Sequence, residues 1–203
     1  MPEFKRQVLE VMRQPLEDRT VTISRAKFTI NYPASFMLVA SMNPSPSGFF
    51  PDDHNNTSTL AEMQRYMNKL SGPLLDRIDI HIEVPKVEFE QLSDKRKSES
   101  SKEIRARVIE SRKIQEKRFQ SEDIHYNAQM GPKMIEKHCE LDEPSEQLLK
   151  TAMEKLNLSA RAYDRILKVA RTIADLGSSE NITSAHIGEA IQYRSLDREF
   201  WNV

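Results

Sequence analysis

Glycine and cysteine are scarce in this chain of 203 residues, which has 5 glycines and a single cysteine, Cys139. One cysteine excludes a disulfide framework. The glycines form no Gly-x-x-x-x-Gly-Lys-Ser/Thr motif, so the sequence contains no phosphate-binding P-loop. No apolar run is long enough to cross a bilayer, and we therefore expect a cytoplasmic protein with no membrane partner.

The chain also lacks an excess of charge of either sign. Its 30 Lys and Arg residues almost balance its 31 Asp and Glu residues. This balance is not typical of a dedicated nucleic-acid-binding protein, which usually carries a strong basic excess. The length allows one medium domain or two small ones.

The stretch Leu70–Val84 combines a breaker, Gly72-Pro73, with an alternation of apolar residues that begins at Ile78. The alternation predicts a buried strand from Ile78 to Val84, which places Arg77 at the edge of that strand. An arginine fixed at an edge can bind a defined anionic partner, or it can form a cap or a salt bridge within the chain. The residues alone leave both alternatives open.

The N-terminal part predicts a helix followed by a hairpin. Apolar residues at helical spacing indicate an amphipathic helix from Phe4 to Leu16. Two runs rich in Val, Ile, Thr and Phe, Thr20–Ser24 and Phe28–Tyr32, indicate a β-hairpin. Its tip carries Arg25 and Lys27, a pattern that fits either an ordinary exposed turn or a contact with nucleic acid.

Phe36–Ala40 is a nearly continuous apolar run and predicts a strand buried on both faces. Asn43 and Pro44 follow it. An amide at the carboxyl end of a central strand can orient a water molecule on a phosphate, although an asparagine before proline also commonly starts a turn. Leu60–Leu70 then predicts a short helix.

From about Lys102 onward the pattern is helical. Arg161 lies in the first turn of one of these helices, where its positive charge interacts unfavourably with the helix dipole. A bound phosphate would remove this cost. The many basic residues of the first helix fit a solvated face or a contact with nucleic acid or another subunit. The predicted helices are Lys102–Phe119, a short one about Lys133–His138, one N-capped by Asp142, one from Ser159 to Leu176 and one N-capped by Thr183.

In order and spacing, four segments of the chain resemble the ComM/YifB family of magnesium-chelatase-like AAA+ ATPases. The segments are Pro2–Glu17, Phe36–Pro44, Leu70–Val84 and Leu158–Leu176, so the resemblance covers nearly the whole chain. It implies that the Walker A and Walker B motifs lie upstream of Met1 in a longer protein, of which this chain is the C-terminal part.

The resemblance also implies a fold class, α/β plus all-α. Residues 1–84 are expected to form the C-terminal portion of an AAA+ (P-loop NTPase) α/β core that lacks its Walker half. Residues 85–101 are the expected linker, because their composition is polar and charged. Residues 102–203 are expected to form the helical lid domain.

Functional roles follow from the same resemblance. Asn43 matches sensor 1, Arg161 matches sensor 2, and Arg77 matches the arginine finger that reaches the γ-phosphate of a neighbouring subunit. Arg25 and Lys27 correspond to the basic tip of a hairpin that faces the central pore and contacts nucleic acid.

The full-length protein is accordingly expected to bind ATP and Mg²⁺ and to form a hexameric ring that acts on DNA. The fragment alone, without the Walker motifs, is expected to hold no cofactor tightly and to be inactive. One hypothesis is that it pairs as a dimer along exposed strand edges.

The loop 45–59 departs from the pattern of the family. Many relatives carry Cys-Pro-Cys-Gly and a second Cys-x-Cys there, whereas this chain has Ser45-Pro46-Ser47-Gly48 and Thr57-Ser58-Thr59. Serine and threonine are poor zinc ligands, so we predict no structural metal and a solvated His54.

Three uses of such a protein compete. The first is a motor for branch migration or remodelling of DNA in recombination or transformation, which the motif spacing and the basic hairpin tip favour. The second is the ATPase motor subunit of a metal chelatase. The third is a non-catalytic helical interaction module.

Overall fold

The computed structural model describes residues 1–51, 53–85, 87 and 98–194. Within these residues the chain forms two compact units, one from the described residues of Met1–Ile78 and the other from those of Asp79–Ser195. Most of the predicted linker, 85–101, lies outside the described residues, and the predicted domain bounds stay predictions. No helix among the described residues has both the length and the apolarity that a bilayer crossing requires.

The first unit is helical with one small sheet. The helix predicted from Phe4 to Leu16 is wrong in detail, because the chain forms two helices that meet at Met12. Pro15 explains the break: it has no N–H to donate to the carbonyl of Val11, and its ring crowds that carbonyl. In chain order the elements are α1 (Arg6–Val11), α2 (Arg13–Asp18), β1 (Thr20–Arg25), β2 (Phe28–Pro33), α3 (Leu60–Met67) and α4 (Gly72–Leu75).

The predicted hairpin is confirmed. Strands β1 and β2 pair antiparallel, with Val21 opposite Tyr32 and Ile23 opposite Ile30. Directly opposite residues share a face, so these apolar side chains form one face of the hairpin. The other face is polar, and on it the Thr22 hydroxyl donates to Asn31 Oδ1 at 2.8 Å.

Two predicted strands are absent from the described structure. Phe36–Ala40 and the segment from Ile78 to Val84 pair with no other strand of the described residues, and Met37 and Val84 are 86% and 76% exposed. A buried strand needs neighbours that accept and donate its ladder hydrogen bonds. The sheet of the described residues contains only β1 and β2, so neither segment has such a neighbour.

Residues of α1, α2 and α4, together with residues outside these helices, form a small core. Leu9, Leu70, Leu74 and Leu75 are buried together, and neighbouring residues such as Met42 and Ile78 pack against them. Complete burial of a leucine contributes about 1.5–3 kcal/mol. This core fixes the chain on both sides of Arg77, which follows Leu75 by two residues.

The second unit contains the predicted helices. Their caps are those indicated by the sequence: Asp142 Oδ1 accepts from the Ser145 N–H at 3.0 Å, and Ser159 Oγ accepts from the Ala162 N–H at 3.2 Å. In chain order the unit has α5 (Ser101–Arg118), a 3₁₀ turn (Asn127–Gln129), α6 (Pro132–His138), α7 (Glu143–Lys155), α8 (Ala160–Leu176) and α9 (Ser184–Gln192).

Helix α8 is the centre of the second core. Ile166, Ala170 and Ala174 on one stripe of α8 are fully buried, and Leu149 of α7 and Ile187 of α9 belong to the same cluster. The spacing of four residues puts these α8 side chains on one face of the helix.

A buried polar network crosses this core. The Asp175 carboxylate accepts hydrogen bonds from both terminal nitrogens of Arg118, at 2.7 and 2.5 Å. It also accepts hydrogen bonds from Arg171 Nε at 3.1 Å and from Asn127 Nδ2 at 2.8 Å. Arg171 also donates to the backbone oxygens of Ser179 and Glu180, just beyond the end of α8. The network ties α5 and the 3₁₀ turn to α8.

Candidate functional site

Arg77 occupies the turn after α4. The buried side chains of Leu74 and Leu75 anchor α4 in the first core. Arg77 Nη1 donates to the Pro73 backbone oxygen at 2.6 Å, and Nη2 donates to Glu17 at the end of α2. The Arg77 side chain is 7% exposed and that of Glu17 is 38% exposed. The structure therefore shows the salt bridge within the chain, and the finger role stays a prediction.

Arg77 and Glu17 line an open cleft of about 460 Å³. Its walls come from α1 and α2, and they include Glu10 and Arg13, whose charged groups are 2.7 Å apart. Asp18 also lines the cleft and is exposed. The lining of the cleft thus contains both cations and anions beside the guanidinium of Arg77.

Asn43 lies outside regular structure and is exposed. Its backbone oxygen accepts a hydrogen bond of 3.2 Å from the Tyr66 hydroxyl. Tyr66 is buried, and that burial raises the pKa of its hydroxyl. Met42, the residue before Asn43, packs on the core that anchors α4. Asn43 and Arg77 therefore each lie next to residues of the same small core.

The loop after Asn43 is held by hydrogen bonds between side chains. Ser45 is fully buried and its Oγ lies 2.9 Å from Ser47 Oγ. The Ser47 hydroxyl donates to Asn56 Oδ1 at 2.8 Å, and the Ser47 N–H donates to Ser58 Oγ at 3.1 Å. His54 is solvated, as predicted, with 92% of its side chain exposed.

Arg25 and Lys27 lie at the tip of the hairpin. Arg25 pairs with Phe28 at the end of the ladder, and both cations are exposed. Neither forms an ion pair with a residue that the structure describes. The tip therefore presents two positive charges to solvent.

Arg161 belongs to the second unit and lies in the first turn of α8, where it is exposed. Two more cations, Arg165 and Lys168, follow along this helix, but they differ in their surroundings. Arg165 donates to Asp79 Oδ1 at 2.5 Å, whereas Lys168 Nζ lies 3.5 Å from the Ala128 backbone oxygen. The structure describes Arg161 and Arg77 in separate units.

Two acidic partners escaped the sequence analysis, Glu17 and Asp79. Glu17 is 60 residues from Arg77, and Asp79 is 86 residues from Arg165. Local spacing carries no signal for pairs this far apart. Glu17 does close the segment Pro2–Glu17, so its place at the end of a predicted helix was visible in the sequence.

Two protein-family models match the chain. One, described as magnesium chelatase, subunit ChlI, matches residues 1–92, and the other, described as magnesium chelatase, subunit ChlI C-terminal, matches residues 98–194. The chain belongs to the magnesium chelatase family. The predicted resemblance is therefore confirmed, and the chain is a magnesium-chelatase-related AAA+ protein.

This member of the magnesium chelatase family is similar to several curated proteins. It is 45% identical to Competence protein ComM of Haemophilus influenzae, 41% identical to the uncharacterized protein YifB of Escherichia coli and 40% identical to YifB of Salmonella typhimurium. Each alignment covers 98% of this chain and 38% of the relative. The chain thus spans 38% of the length of these relatives.

Proposed function

We propose that the full-length protein is an ATP-hydrolysing ring motor that remodels branched DNA. In this proposal the chain supplies residues that act on phosphate and a hairpin that contacts DNA. Membership of the magnesium chelatase family supports the ATPase part. The name of the relative that is 45% identical, Competence protein ComM, supports the choice of DNA as substrate.

The observation that carries the DNA part is the charge of the hairpin. From Arg19 to Pro51 the chain has three cations, which include Arg25 and Lys27, and no acidic residue. Both tip cations are exposed. Lysine and arginine side chains bind nucleic acid by neutralising phosphates and releasing counterions. The hairpin therefore offers a positively charged contact in a chain whose overall charge is balanced.

The candidate residues for hydrolysis are of the side-chain types that bind polyphosphates. Bound ATP and Mg²⁺ would supply phosphoryl-transfer chemistry, in which positioning and charge stabilisation account for most of the catalysis. Arg77 and Arg161 would hold phosphate oxygens, and the Asn43 amide would orient a water molecule. The described residues contain no group of three or more His, Cys, Asp or Glu side chains that could hold a metal ion, and we assign none of them to Mg²⁺.

A second candidate function is the ATPase motor of a metal chelatase. Both matching family models are described as magnesium chelatase, which favours this alternative. A chelatase motor would hydrolyse ATP without DNA, and its rate would respond to a metal-inserting partner. DNA dependence of the ATPase therefore separates the two candidates.

The test is the ATPase rate of the full-length protein with and without branched DNA. The variant Arg25→Ala/Lys27→Ala is expected to keep the basal rate and lose the stimulation by DNA. Its DNA binding should depend less on salt, with a slope lower by about 1 for each cation that touches a phosphate. Lys150→Ala/Lys155→Ala, which removes two exposed cations from α7, is the matched control.

The outcomes separate the alternatives. Equal stimulation in the hairpin variant and the control would contradict the hairpin contact. An ATPase rate that does not change with DNA but responds to a metal-inserting partner would contradict the DNA motor and support the chelatase motor. Absence of hydrolysis in the full-length protein would favour the interaction module.

A further inference from the structure

Arg77 is held on two sides and still has a donor to offer. Pro73 O and Glu17 accept from its terminal nitrogens. Its Nε is buried and makes no hydrogen bond to any described residue. A buried donor without an acceptor costs free energy, which an additional acceptor would remove. The guanidinium is therefore oriented by the chain, and one of its three nitrogens has no acceptor among the described residues.

Glu17 provides the charged half of that orientation. An arginine has a long side chain that samples many rotamers in water, and a carboxylate that pairs with its planar guanidinium restricts this freedom. Pro15 is buried and Leu16 packs against the first core, so the end of α2 is anchored. Glu17 thus holds Arg77 from a fixed element at the wall of the cleft.

We infer that Glu17 is a positioning residue for Arg77, which it orients toward the terminal phosphate of a nucleoside triphosphate bound by a neighbouring subunit. The inference rests on the proposed function. Glu17 acts through Arg77 and does not contact the phosphate. Placement matters in such chemistry, because a shift of about 1 Å can lower a rate about 100-fold.

The kinetic test uses the full-length protein. Arg77→Ala is expected to lower kcat for ATP by about 10³-fold or more, as for other arginine fingers. Glu17→Ala is expected to lower kcat about 10- to 100-fold with little change in KM. Glu17→Gln should recover part of the loss, because its amide oxygen still accepts a hydrogen bond. Asp18→Ala removes the adjacent exposed acid of the same cleft and should leave kcat unchanged.

The double variant distinguishes positioning from a structural role. If Glu17 acts through Arg77, adding Glu17→Ala to Arg77→Ala causes no further loss of kcat. A general structural defect would lower the rate by the same factor in both backgrounds.

A second readout needs no nucleotide. Phenylglyoxal modifies accessible arginines, and mass spectrometry locates the modified residue. In the nucleotide-free protein Arg77 should react slowly, because it is buried and paired. Glu17→Ala should accelerate modification of Arg77 several-fold, whereas Asp18→Ala should not.

The inference is overturned if Glu17→Ala leaves kcat and Arg77 modification unchanged, or if its kinetic loss persists in the Arg77→Ala background. Either result leaves the motor proposal intact. If Arg77→Ala itself has no effect on kcat, both the finger role and the inference are wrong. If DNA still stimulates the ATPase rate of that variant, the DNA part of the proposed function stands.

Discussion

Replacement of Asp175 by alanine should severely destabilise the second unit. The Asp175 side chain is fully buried, and its carboxylate accepts hydrogen bonds from Arg118, Arg171 and Asn127. The two arginine side chains are 14% and 5% exposed. Asp175→Ala would leave both guanidinium groups without this buried counter-charge, and removal of one partner from a buried ion pair costs about 3–5 kcal/mol.

Urea unfolding followed by circular dichroism measures the effect. A loss of about 3–5 kcal/mol is a large part of the 5–15 kcal/mol that stabilises a typical domain, so the transition should move to much lower urea. Asp164→Ala is the matched control, since Asp164 lies on the same helix and has no part in the network. The control should change stability by less than about 0.5 kcal/mol. A loss below about 1 kcal/mol for Asp175→Ala would refute the argument that the buried arginines depend on this carboxylate.

Two further predictions concern the end of α6. Burial raises the pKa of the Cys139 thiol to about 11, so a thiol reagent at about pH 8 should label the native protein far more slowly than the unfolded protein; equal rates would contradict the burial. Burial also lowers the pKa of His138, and the nearby positive charge of Lys137 is the next largest cause of the decrease. The unfolded state then binds the proton more readily, so stability should fall as pH drops below about 6.5, and His138→Gln should reduce that fall. An unchanged pH dependence of urea unfolding in this variant would count against the prediction.

Elements with local signals were predicted well. The cap at Ser159 and the end at Leu176 define α8, because a serine side chain satisfies the first free N–H groups and the apolar stripe continues without interruption. The hairpin was equally visible, because alternation and a short connection act between neighbouring residues.

Predictions of elements that depend on distant partners were wrong. Phe36–Ala40 and Ile78–Val84 have the apolar pattern of buried strands, but a pattern does not supply the neighbouring strand to which the backbone must hydrogen-bond. The break at Met12 was also missed. Pro15 indicated it, because proline has no backbone N–H to continue the helix, but the prediction followed the helical spacing of the apolar residues instead.

The amino-acid pattern was enough to predict the family, the helices of the second unit, the hairpin and the candidate residues Arg77, Asn43 and Arg161. These depend on motif order or on interactions between residues a few positions apart. The pairings of Arg77 with Glu17 and of Arg118 with Asp175 appear only in the folded structure, since they join residues 60 and 57 positions apart. Each pair forms only when packing within its own core brings the two segments together, and no local pattern encodes the partner.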